Sequence, residues 1–316
     1  MTVTLPRHLR DDVTMAENIL EILLGRRRAV PGEAPTAVPA ALEASTQFAQ
    51  IMAHVLQQRP IRMTLPAFPC KSPSPDKVCG VLPDEGERLA LMELDDLCRR
   101  IGEIYEPGAT LTICSDGHVF ADHIGVDDGA ITEYGTALRA LLDAQRLGHL
   151  EWFDLGALWP GRTFEDKRTL LDTAWCDGPE DVRARARHDE AAARQLRGVI
   201  KFLAEDAPSG DGHTRSYRHR RAKIAARHVV SRSQGWGRVI AAHLPNHVRL
   251  SIHPQPRGAD KLGIRLLDHA DAWTTPWHSV VLYNADGMPE LVRHEHARRC
   301  GIPRLRDGRI SHYVVT

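Results

Sequence analysis

The stretch ATLTICSDGHVFADHIGVDD, residues 109–128, decides how the chain is read. Pro107-Gly108 breaks the chain just before it, and the apolar run 109–114 then reads as a short buried strand. The run stops abruptly at Ser115-Asp116-Gly117-His118, with Asp122 and His123 close behind. A polar loop at the C-terminal end of a buried strand is where open α/β sheets collect ligand-binding groups. Two aspartates and two histidines in so short a span admit a metal site, an acid–base site or a plain turn. Gly117 suits a sharp turn, and Asp116 can cap the N–H groups that follow. His118 and Asp122 have the i,i+4 spacing of metal ligands on a helix, but no H-E-x-x-H or similar signature accompanies them.

Outward from this loop, helices and strands alternate. Residues 12–28 predict a helix with a basic end, Arg26-Arg27-Arg28, and a Pro/Ala loop at 30–40 leads to a second helix over 40–58. IRMTLPAF then turns extended. From Pro83, PDEGERLALMELDDLCRRIG places Ala90, Leu94, Leu97, Cys98 and Ile101 on one helical stripe with acids in the first turn. Further helices are expected over 181–206 and 217–243, the latter interrupted near Gly235 and Gly237. Strands are expected at 248–253, 262–267 and 277–283. The pattern predicts an α/β fold with an open sheet covered by helices. An N-terminal helical segment, 1–60, is expected to be continuous with the α/β unit, 61–316.

The 316 residues carry 41 Lys plus Arg against 41 Asp plus Glu, so no global field favours nucleic acid or an anionic membrane. Aromatics are 5% and do not interleave with the basic run 215–232, which further disfavours nucleic acid. No segment approaches the ~20 apolar residues of a membrane span, and the N-terminus has no signal-peptide core. The six cysteines form no C-x-x-C pair. A reduced cytoplasm is the expected compartment.

Three more segments carry chemistry. FPCKSPSPDKVCG, 68–80, is an extended loop stiffened by prolines, in which Lys71 and Lys77 flank two serines. It reads either as a solvated loop or as an anion cradle without a Walker pattern. In HLPNHVRLSIHPQ, a strand over 248–253 would point Arg249, Ser251 and His253 to one face. That row is rich in anion-binding and proton-transfer groups, although a half-exposed strand shows the same alternation. Lys261 follows, and TTPWH adds His278. In the basic run, Arg232 at the apolar end is the member expected to turn inward.

The pieces LPAFPCKSPSPDKVCGVLPDEGERLAL, IYEPGATLTICSDGHVFADHIGVDD, LRGVIKFLAED, HLPNHVRLSIHP and TPWH together resemble the isonitrile (isocyanide) synthases related to the pyoverdine/dityrosine biosynthesis proteins. They run in that family's order from about residue 62 to 280. The resemblance implies a Rossmann-like enzyme without metal or other cofactor. Such enzymes convert the α-amine of tyrosine or tryptophan to an isonitrile, with the carbon from C2 of ribulose 5-phosphate. An iron(II)/2-oxoglutarate-dependent oxygenase is the usual pathway partner, and fungal relatives make a formyl-tyrosine precursor instead.

Such chemistry needs a phosphate clamp, a carboxylate site and at least two proton-transfer groups. The expected acid–base residues are Asp116 and His253, with His118 in support. Lys71 is expected to hold an anion or, if burial lowers its pKa, to form a Schiff base. Arg249, Lys261 and Arg232 are the remaining expected anion ligands, with Ser115, Asp122 and His278 as further substrate contacts. A metal-dependent hydrolase using the His/Asp loop, or a sugar-phosphate-binding protein without catalysis, are the competing readings.

Overall fold

The computed structural model describes residues 7–34, 38–206, 214–267 and 274–315, so residues 35–37 of the Pro/Ala loop lie outside it. Five strands form a parallel sheet: β1 (Ile61–Leu65), β2 (Ala109–Ser115), β3 (Leu150–Asp154), β4 (Val248–Ser251) and β5 (Leu262–Gly263). Their order is β3-β2-β1-β4-β5. The chain therefore builds outward from β1 to β3, then crosses back to lay β4 on the other side of β1. Loops leaving β1 and β4 diverge at that reversal and open a crevice beyond the strand C-termini.

Side-chain alternation divides the interior between the two faces of the sheet. Ile61, Met63, Leu65, Leu111, Ile113, Val248 and Leu250 join the larger core, with helices α1 (Arg7–Leu24), α3 (Ser45–Leu56), α4 (Glu85–Ile104) and α6 (Asp128–Gln145); α2 (Ala40–Glu43) is a single turn before α3. In α1, Ala16, Ile19, Leu20 and Leu23 are completely buried at helical spacing. Each of the larger three contributes roughly 1.5–3 kcal/mol by burial. The N-terminal helices and the sheet thus share one core. On the opposite face Cys114 meets α5 (Gly117–Ile124), α7 (Phe164–Trp175) and α10 (Arg215–His243) through Val119, Leu171, Trp236, Val239 and Ile240. Helices α8 (Pro179–His188) and α9 (Glu190–Asp206) pack beside α10.

α4 starts where its acids demand. The Asp84 carboxylate accepts from the Gly86 N–H at 2.9 Å, and Glu87 reaches back to the Asp84 N–H at 3.0 Å, a complete capping box. α10 runs unbroken through Gly235 and Gly237, against the expected interruption. Gly235 is there for packing: a Cβ would lie 2.4 Å from Cys176 Sγ, so only glycine lets α10 press on the end of α7.

Other boundaries differ from expectation. The helix over 40–58 splits at Ala44, the strand over 248–253 stops at Ser251, and that over 262–267 keeps two residues before Ile264 bridges to Arg27. Residues 276–278 form a 3₁₀ turn ahead of β6 (Val280–Tyr283). β6 belongs to a second sheet with β7 (Pro289–Val292), β8 (Gly301–Arg306) and β9 (Arg309–Val315), in the order β7-β6-β9-β8, with α11 (His294–Cys300) between β7 and β8. This sheet braces the 3₁₀ turn against α4, since Tyr283 donates to Glu85 at 3.0 Å. Among the described residues no helix is long and apolar enough to cross a membrane.

Candidate active site

The loops leaving β1, β2 and β4 meet at the crevice. Gly117, the first residue of α5, sits against the loop after β1. A Cβ there would fall 2.0 Å from the Pro69 carbonyl oxygen, so glycine is required for close approach rather than for a turn. The contact holds Asp116 beside the 69–78 loop. Asp116 occupies the N-cap position of α5, yet its carboxylate makes no capping hydrogen bond to the helix. It is half-buried, and burial pushes its pKa up to about 7, opposed by its own backbone N–H and by the Lys261 ammonium.

Around Asp116 the structure gathers four more of the expected residues. Arg249 stands opposite Thr64 on the α10 side of the sheet, with one long hydrogen bond, 3.4 Å to the Gly237 carbonyl. Lys261 lies close enough to Arg249 and Asp116 to feel both. Its pKa is lowered by burial first and by the Arg249 charge second. Among the described residues neither Arg249 nor Lys261 has a carboxylate at salt-bridge distance. His253, two residues beyond β4, keeps an exposed ring although protein surrounds it on most sides, as a side chain lining a cleft does. That crowding, with the Arg28 and Lys261 charges, brings its pKa down to about 4. His278 projects from the 3₁₀ turn with 21% of its side chain accessible. Burial again dominates and takes its pKa to about 4, despite the Asp206 carboxylate. At neutral pH the cleft thus holds two neutral imidazoles, a carboxyl close to half-ionised, and two cations with no carboxylate at salt-bridge distance among the described residues.

The other expected residues face elsewhere. Lys71 is fully enclosed, with Nζ at 2.8 Å from Asp84 and from Glu87 and 3.0 Å from the Pro276 carbonyl. Burial alone would lower its pKa, but the two carboxylates outweigh it and the net shift is upward. All three protons are engaged, which leaves none for a substrate anion, and the raised pKa opposes a Schiff-base role. Arg232 does turn inward, but to Asp122 at 2.6 Å, Asp172 at 2.8 Å and the Val119 carbonyl at 3.0 Å. Arg232 and Asp122 therefore satisfy one another between α5, α7 and α10.

His118 stacks on Phe164 at 3.7 Å, with its Nε2 at 3.0 Å from Thr132 Oγ1. It lines a cavity of about 360 Å³ with Ser115, Ile131, Trp152 and Asp154. Ser115 Oγ donates to the Phe68 carbonyl at 2.9 Å and fixes the loop after β1. Asp116, His118 and Asp122 thus face different surroundings, with His123 Nε2 3.7 Å from Asp122, and among the described residues no three His, Cys, Asp or Glu side chains converge on a metal-sized point. The hydrolase reading loses its ligand set.

Three further residues border the cleft. Arg28 donates its backbone N–H to the Gly263 carbonyl at 2.7 Å and its guanidinium to the Ile252 carbonyl, beside His253. In sequence it reads only as a basic helix end. Cys70 lies near Asp116 and Asp206; burial, with those two charges, pushes its thiol up to about 12, so it is inert as a nucleophile. Asp206 ends α9, and its one sequence signal is an acid where the helix dipole disfavours one.

The family model described as "Pyoverdine/dityrosine biosynthesis protein" matches residues 51–302. The chain is 36% identical over 316 aligned residues to an L-tyrosine isonitrile synthase of Xenorhabdus nematophila, covering 95% of this chain and 92% of that one. It is 33% identical to the L-tryptophan isonitrile synthase AmbI2 of Fischerella ambigua, covering 96% and 92%. The crystal structure of the PvcA protein from Pseudomonas aeruginosa superposes with a TM-score of 0.90 at 33% identity, covering 96% of this chain and all of that one.

Proposed function

Because the chain belongs to the pyoverdine/dityrosine biosynthesis protein family, we propose that it is an isonitrile synthase acting on the α-amino group of an aromatic L-amino acid, tyrosine or tryptophan. The isonitrile carbon comes from C2 of ribulose 5-phosphate, a co-substrate, and no other cofactor takes part. The names of its relatives support the reaction. The observation that carries it to this chain is the pair Arg249 and Lys261, two cations beside Asp116 with no carboxylate at salt-bridge distance among the described residues, as a doubly charged phosphate requires.

In this reading Arg249 and Lys261 hold the phosphate. Asp116 takes the proton from the amino acid's ammonium group, since its pKa near 7 keeps much of it ionised while leaving it a competent base. The freed amine adds to the sugar ketone, and loss of water gives an imine. His253 and His278, neutral at working pH, carry protons through the dehydration and the carbon–carbon cleavages that follow. Lys71 keeps a positioning role, tying the 69–78 loop to α4 and to the turn that bears His278. The product suits an iron(II)/2-oxoglutarate-dependent oxygenase as the next enzyme. Two freely diffusing metabolites as substrates suit the cytoplasm.

Incubation of the purified chain with ribulose 5-phosphate labelled at C2 and each aromatic amino acid, followed by mass spectrometry, tests the proposal. One labelled carbon should appear on the nitrogen of one amino acid. If the folded protein binds the sugar phosphate and no amino acid acquires the label, the reading is wrong.

A further inference from the structure

α9 lies along α8 and α10 with its side chains mostly open to solvent, and Asp206, its last residue, is the only one it buries among those described. A buried carboxylate at a helix C-terminus is opposed both by desolvation and by the helix dipole. Its surroundings explain why it is tolerated. Ser72 Oγ donates to Asp206 Oδ1 at 2.5 Å, and Lys77 Nζ donates to the same oxygen at 2.7 Å. The second oxygen, Oδ2, is left facing His278 Nε2 at 4.0 Å. One turn earlier Phe202 meets the His278 ring edge-on at 4.9 Å and lies under the Lys77 ammonium at 5.4 Å. On the far side of the imidazole, Thr275 Oγ1 is paired with Nδ1 at 2.8 Å. The ring is thus held at one nitrogen by its own turn, with Asp206 facing the other from a different part of the chain.

We propose that Asp206 is a positioning residue: docked on Ser72 and Lys77, it presents Oδ2 to His278 Nε2 and so fixes the tautomer and direction of that imidazole at the cleft. The Asp206 charge, 4.0 Å from Nε2, favours the form with the ring proton on that nitrogen, and the Thr275 hydroxyl can then donate to Nδ1. Phe202 restrains ring rotation. The role rests on the reading that amino acid and sugar phosphate react in this cleft, whereas the His278 geometry does not.

Asp206→Asn is the probe, since asparagine can still accept from Ser72 and Lys77 while exchanging the oxygen facing His278 for an amide donor. Turnover should fall about 30- to 300-fold, with the KM for ribulose 5-phosphate within threefold of wild type and the melting temperature little changed. His278→Gln should fall comparably. The double variant should be no slower than the worse single one, because the two residues act as a unit. Multiplicative losses, or an unchanged rate in Asp206→Asn, would overturn the proposal. The imidazole ¹⁵N signals of His278 supply a readout independent of turnover: Nε2–H in wild type, lost or exchanged with the other tautomer in Asp206→Asn, with the same His278 signals in both proteins again counting against it. A wild type that makes no labelled product refutes the isonitrile reading, and the ¹⁵N comparison still decides the role of Asp206.

Discussion

Asp116→Asn separates catalysis from structure in a way few substitutions here can. In the unfolded chain the carboxyl titrates at its ordinary value of 3.8, and in the fold at about 7. Between those values the folded protein retains a proton that the unfolded chain has released. Stability contributed by this group is therefore fully present below about pH 4 and is lost as pH rises towards 7. At 1.36 kcal/mol per pH unit the interval amounts to about 4 kcal/mol, and solvent reaching a half-buried group reduces this to roughly 2 kcal/mol.

Asparagine has no such titration and keeps the shape. Urea melts across pH 4.5–8 should show the variant gaining on wild type by roughly 2 kcal/mol as pH rises, while turnover falls about 10²- to 10⁴-fold for want of a base. A residue that merely terminates α5 behaves oppositely, with near-wild-type turnover and a stability difference that does not depend on pH. Either of those results refutes the assignment of Asp116 as the base.

Arg249→Met and Lys261→Met should each raise the KM for ribulose 5-phosphate about tenfold or more while costing under about 1 kcal/mol of stability, because neither breaks a salt bridge among the described residues; steady-state kinetics with thermal melts checks both. Lys71→Met should do the reverse, destabilising by about 3–5 kcal/mol as Asp84 and Glu87 lose their shared cation. A Lys71→Met protein with wild-type stability would contradict the enclosed geometry. Gly117→Ala should cost several kcal/mol or prevent folding, since its Cβ has no space beside Pro69; a soluble variant with an unchanged melting temperature would count against that contact.

What sequence reading captured, and what it missed, follows from the range of the interactions. The strand ending at Ser115 is legible because burial on both faces of a parallel strand makes a continuous apolar run bounded by Pro-Gly and a polar loop. The placement of Asp116 and His253 just past strand C-termini is legible because strand ends follow from the apolar runs, whatever the loops do. Lys71 was misread because a lysine in a proline-stiffened loop looks the same whether its partner is a phosphate or a carboxylate. Its partners are the capping residues Asp84 and Glu87, visible in PDEGE as a helix start but not as an ion cluster. His118 and Asp122 went astray for a different reason: α5 begins at Gly117, so they lie on a helix that faces α6 and α7 rather than the cleft. The second sheet gave little sign of itself, since β8 is nearly all exposed and lacks an apolar alternation to read.

The contrast between two arginines says most about where function lies. Arg232 is buried and Arg249 half-buried, and only Arg232 begins in a segment rich in positive charge. The fold gives Arg232 two aspartates and a carbonyl, an arrangement complete without any ligand. It gives Arg249 one weak carbonyl contact and sets Lys261, another cation, next to it. Like charges brought together in a partly desolvated site repel, and each forfeits part of its hydration. The chain has equal numbers of acids and bases, so carboxylates were available to neutralise the pair. Among the described residues neither cation has a carboxylate at salt-bridge distance, and Asp116 stands near its ionisation point beside them, an arrangement that the proposed phosphate would complete. The same reasoning predicts that a bound phosphate raises the folded pKa of Lys261 and stabilises the protein, and phosphate-dependent melting that disappears in Lys261→Met would be its direct measure.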